Sequence, residues 1–137
     1  MDKQIEYGII CARNDEEELV KRINAFLKNE YGYRKMYKRE DDSISMFEYE
    51  YYYCQFVKQC PCWFFDLFPN TDMKGKSKFE NKDVQWVLWT NKQDIDKNTK
   101  EQNDEVDLFF EKLIEAIPYS VTLLYEYKDG EERIGND

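Results

Sequence analysis

Apolar residues along this chain follow two rhythms, and the points where one gives way to the other mark the elements. Residues 5–12 become continuously apolar in their second half, the pattern of a central strand covered on both faces. Leu19, Ile23, Phe26 and Leu27 then recur at helical spacing while Lys21, Arg22 and Lys28 fall on the other side, which predicts a helix over residues 15–30. Asn14, with Glu17 three places on, reads as its capping box, and Gly32 supplies the stop. Residues 33–40 read as a strand, Asp41-Asp42 as a turn and residues 43–57 as a long strand, together a hairpin. In the long strand Phe47, Tyr49, Tyr51 and Tyr53 take the core face, and Glu48, Glu50 and Tyr52 take a face presented outward.

Of the chain's 9 Phe, 11 Tyr and 3 Trp, ten stand between Met46 and Phe68, so this segment is expected at the centre of whatever the domain buries or binds. The alternation fails after Pro61, so residues 60–68 read as an irregular aromatic lobe carrying Trp63, Phe64, Phe65 and Phe68. The lobe belongs to an aromatic insertion, 55–82, whose far end is polar and loop-like. Residues 84–90 form a strand with apolar positions on both faces, and 91–103 read as a polar loop. Asp104, with Asp107, caps a second helix whose Val106, Phe109, Phe110, Leu113 and Ile117 make the buried stripe before Pro118. Residues 119–128 alternate as a last strand, closed by Asp129-Gly130 into a polar tail. The expected architecture is a single domain over 1–137. It is α+β, a mainly antiparallel sheet with two helices on one face, in βαββ(insert)βαβ order, a split-βαβ or ferredoxin-like sandwich.

Charge changes the functional picture. The 29 acidic residues outnumber 20 basic ones for a net charge of −9, which repels nucleic acid and anionic membranes and attracts basic partners. No run of 18 apolar residues or apolar leader is readable, so the cytoplasm is the expected compartment and the cysteines are expected as reduced thiols. Histidine is absent, which removes the commonest general base and metal ligand, and every glycine is isolated, so no phosphate cradle is legible. Cys54, Cys60 and Cys62, with Cys11, are weak metal candidates because zinc knuckles favour paired Cys-x-x-Cys; no metal or cofactor is expected. Rings on the long strand resemble an RNA-stacking platform in position, but Glu48 and Glu50 stand between them where phosphates would need Lys or Arg.

Tyrosines and carboxylates close together make rigid contact area inside an attractive field for a cationic surface. The expected function is therefore a non-enzymatic acidic protein-binding domain, an inhibitor of a basic partner such as a toxin or nuclease. Bacterial immunity proteins and phage proteins that block host defences are of this kind. Partner-binding residues are expected at Glu48, Glu50, Tyr52, Trp63, Phe64, Phe65, Phe68 and Glu126. The alternatives are a small-molecule module or enzyme with an aromatic, Cys-lined pocket around residues 60–63, and an acidic mimic of nucleic acid.

Overall fold

In a computed structural model, residues 2–31, 36–39, 51–57, 61–70, 83–128 and 131–134 are described. Strand β1 (Lys3–Ile10) leads through a 3-10 turn (Arg13–Asp15) into α1 (Glu16–Tyr31). There follow β2 (Tyr37–Arg39), β3 (Tyr51–Val57), β4 (Cys62–Pro69), β5 (Val84–Lys92), α2 (Lys100–Ala116), β6 (Ser120–Lys128) and β7 (Glu131–Ile134). The fold is α+β: the seven described strands make one antiparallel sheet ordered β2-β3-β4-β5-β1-β6-β7.

The connection β5-α2-β6 straddles β1, and β1-α1-β2 spans the other half of the sheet. Because β1 and β5 run antiparallel and their crossovers move in opposite directions, one handedness puts both helices on the same face. There Leu19, Ile23 and Leu27 of α1 and Val106, Phe109 and Leu113 of α2 share a core with Ile9, Trp63, Phe65, Leu67 and Leu88. Phe26 meets Phe109 at 5.7 Å, and Lys112 reaches Glu30 at 3.7 Å, tying the helices together. A smaller core of Phe68, Val84, Val87 and Leu124 lies on the opposite face. Gly8 sits against it, where an added Cβ would come within 2.7 Å of a Val84 methyl, so the close approach of β1 to that side chain requires glycine.

Several expectations are corrected. The segment read as an irregular lobe is β4, paired along its length with β3 and β5, and the sheet order runs through it instead of around an insertion. Its period was hidden because both faces are apolar: Trp63, Phe65 and Leu67 face the helices, and Phe68 faces the second core. Asn70 closes its end, its side-chain amide donating to the Val84 carbonyl at 2.9 Å. The 91–103 loop shrinks to 93–99, since Asn91 and Lys92 finish β5 and Thr99, not Asp104, caps α2. The Gln102 backbone N–H donates to Thr99 Oγ1 at 3.1 Å and Gln102 Oε1 accepts from the Thr99 N–H at 2.8 Å, a reciprocal capping box. At α1 the Ala12 N–H donates to Asp15 Oδ2 at 2.8 Å, replacing the expected Asn14 box. The tail read as polar contributes β7, a hairpin partner of β6. Residues 43–50 of the predicted long strand lie outside the described residues. No helix among the described residues is long and apolar enough to cross a membrane.

Candidate functional site

Alternation along β5 sends Trp86, Leu88, Thr90 and Lys92 to the helix side, and their β1 neighbours on that side are Ile9, Tyr7, Ile5 and Lys3. Trp86 and Leu88 are large enough to meet the helices. Beyond them the floor is Ile5, Thr90 and Lys92, and α2 passes overhead with Asp107, Glu111 and Glu115 one turn apart on a single stripe. Between floor and helix opens a cleft of about 490 Å³, with Phe110 and Ile114 as its apolar wall.

The polar groups of the cleft differ in how they are satisfied. Lys92, only 7% exposed along its side chain, places Nζ 2.6 Å from Asp107 Oδ1, so its buried charge has a carboxylate partner. Thr90 Oγ1 donates to the Ile5 carbonyl at 3.1 Å and is spent on the strand itself. The Tyr7 hydroxyl makes no hydrogen bond among the described residues. Burial first, then the charges of Glu126, Asp107 and Glu111, hold the Tyr7 phenol above its ordinary range, so it stays protonated well into alkaline solution. Glu126 reaches this neighbourhood from β6: a bulge between Glu6 and Tyr7 shifts the pairing and brings Glu126 opposite Ile5. Among the described residues Glu111, Glu115 and Glu126 have no ion-pair partner. The arrangement can hold a positively charged group; it offers no nucleophile activated by a base.

The residues expected to bind a partner are scattered. Glu48 and Glu50 lie outside the described residues. Tyr52, expected to face outward, is turned inward and 9% exposed, because it shares with Cys54 the β3 face that α1 covers; its hydroxyl donates to Glu16 Oε1 at 2.6 Å. Trp63 and Phe65 are buried beneath α2, Trp63 stacking on Phe109 at 3.9 Å between centroids, and Phe68 is buried on the opposite face. Those three rings offer a partner no surface. Phe64 is half-buried, edge-on to Trp89 at 5.2 Å and remote in the sheet from Glu126, whose charge acts on Tyr7.

No family model, curated protein or solved structure matches this chain. Function is read from geometry and charge. At Trp63 the aromatic pocket expected around 60–63 is corrected to packed core, since that ring is covered by Phe109 and Phe110. Cys54 is buried on the helix side, whereas Cys62 alternates to the other side and donates Sγ–H to Gln93 Oε1 at 2.9 Å, so the two do not converge on an ion. Cys60 lies outside the described residues, which contain no group of three or more His, Cys, Asp or Glu placed to hold a metal. Burial and the nearby Asp15 push the Cys11 thiol up to about 11 against a smaller opposing pull from Arg13, an unreactive thiol at neutral pH.

Sequence reading found Glu126 but missed Tyr7, Lys92, Asp107, Glu111 and Glu115. Two signals were available. Lys92 continues the 86, 88, 90 alternation into a charged position, and the 107, 111, 115 carboxylates lie beside Phe110 and Ile114, just off the core stripe.

Proposed function

We propose that this protein is a cytoplasmic, non-enzymatic acidic binding domain that recognises and inhibits a basic protein, in the manner of immunity or anti-defence proteins. The observation that carries the reading is the run of carboxylates around the cleft. Glu111 and Glu115 stand one helical turn apart with no compensating cation among the described residues, an arrangement that costs helix stability and gains meaning when an opposite charge docks there. A net charge of −9 speeds encounter with such a partner. The antiparallel core β6-β1-β5-β4 with its two crossover helices supports a ferredoxin-like reading of the scaffold, enlarged at both edges.

A mimic of nucleic acid is the second reading, favoured by the linear order of Asp104, Asp107, Glu111 and Glu115 along α2. Their axial separations are about 4.5–6 Å. Lys100 and Lys92 already engage Asp104 and Asp107, which breaks the row and favours a protein partner whose basic side chains enter one at a time.

Affinity capture at low salt, repeated at rising salt, tests the proposal: a basic protein should be retained and then released as the field is screened. Recovery of no basic protein at low salt would sink it. Co-expression with the toxin-like product of an adjacent gene should restore growth if inhibition is the outcome of binding.

A further inference from the structure

We infer that the cleft beneath α2 seats one guanidinium or alkylammonium side chain of the basic partner, an inference that rests on the receptor reading above. Ile5, Phe110 and Ile114 provide an apolar path for a methylene stem. At its end the head group meets Glu111 and Glu115, carboxylates without an ion-pair partner among the described residues, and the charge of Glu126 adds to the field at Tyr7. The Tyr7 hydroxyl, also without a hydrogen-bond partner there, offers a lone pair to an N–H donor, and its ring offers a face to a cation. A cleft of about 490 Å³ exceeds one side chain, so the flanking backbone of the partner enters with it.

The lysines fix the orientation. Lys3 and Lys92 stand in register at one end of the floor, and Lys92 is neutralised by Asp107 at 2.6 Å. Among the residues that line the cleft, Lys3 is then the uncompensated cation against Glu111 and Glu115, so an incoming cation is repelled from the lysine end and drawn toward the glutamates. An anion is disfavoured at the same place. Lys92 is engaged, and the surrounding charge of −9 opposes approach.

The probe is Nα-acetyl-arginine methylamide, with Nα-acetyl-norleucine methylamide as its uncharged counterpart, titrated at low salt into the full chain and followed by NMR. The arginine probe should give saturable shifts confined to the cleft residues, with affinity roughly tenfold above the norleucine probe. The double substitution Glu111→Gln/Glu115→Gln should lower that affinity roughly fivefold, and Tyr7→Phe, which keeps the ring, about twofold. Glu17→Gln/Glu101→Gln removes the same charge at exposed sites away from the cleft and should leave it unchanged. Equal binding of both probes, shifts spread over the acidic surface, or equal losses in the two double variants would overturn the inference. The arginine probe should also release a captured basic protein. If a basic protein is retained but the probe neither fills the cleft nor competes, the seat is overturned and the receptor reading stands. If the probe fills the cleft and no basic protein is captured, the receptor reading falls and with it the partner as the source of the side chain.

Discussion

Helix α2 meets two different floors, and neighbouring stripes of one helix have opposite outcomes because of it. Val106, Phe109 and Leu113 come down on the rings of β4, where Trp63 and Phe65 fill the space to full burial. Phe110 and Ile114, with the carboxylates beside them, stand over β1 and β5, where Ile5 and Thr90 leave a cleft and Lys92 reaches across to Asp107. A site is made here by withholding bulk on one side of a well-packed helix. The packed half holds α2 in place, and the open half inherits that rigidity.

The sharpest way to break this contrast is to empty the packed side. Trp63→Ala should cost about 3–5 kcal/mol in chemical denaturation, whereas Ile5→Ala, half-buried on the cleft floor, should cost about 1–2 kcal/mol. Equal costs would mean that the cleft is ordinary core. The ion pair at the boundary gives a smaller and asymmetric effect. Asp107→Asn strips the buried Lys92 ammonium of its carboxylate and should destabilise by about 1–3 kcal/mol, while Lys92→Met should be near neutral. Reversal of that order would remove Lys92 from the buried set.

Alkaline pH probes the two regions in the same direction, beginning from different ordinary values. The folded Tyr7 phenol titrates above its unfolded value near 10, so the stability tied to its neutral form is complete below that pH and is lost as the pH rises beyond it. Tyr7→Phe should flatten the fall in stability above about pH 10. Cys11, beside the packed core, acts the same way between its ordinary value of 9.0 and about 11, and Cys11→Ala should flatten that lower part of the curve. The smallest effect is on the acidic stripe. Removing both charges in Glu111→Gln/Glu115→Gln should stabilise the free protein by a few tenths of a kcal/mol in thermal unfolding, about 0.2–0.5. A loss of stability would mean that those carboxylates have structural partners.

Both helix stripes were legible in the sequence because a single amphipathic face reads cleanly: Leu19, Ile23 and Leu27, and Val106, Phe109, Leu113 and Ile117, are buried as expected, whereas Phe26 and Phe110, read into the same stripes, are half-buried and Phe110 walls the cleft. Strand β4 was not, since a strand with apolar residues on both faces loses the period of two, and Pro61 reads as a break although pairing begins one residue later. Tyr52 was misassigned in facing because the predicted strand 43–57 was read as amphipathic on the strength of Glu48 and Glu50, which lie outside the described residues, whereas α1 covers the Tyr52 and Cys54 side of β3. Only one wall of the cleft was within reach of local reasoning. Its floor joins β1 to β5 across most of the chain, and periodicity carries no information about which strands become neighbours.

The position of β1 between β5 and β6 has a temporal consequence. Its pairing partners are synthesised long after it, so the two ladders that hold it close only across long sequence separations, and such non-local pairing slows folding. Every residue lining the cleft belongs to β1, β5 or α2, so a chain cut short before α2 does not present it.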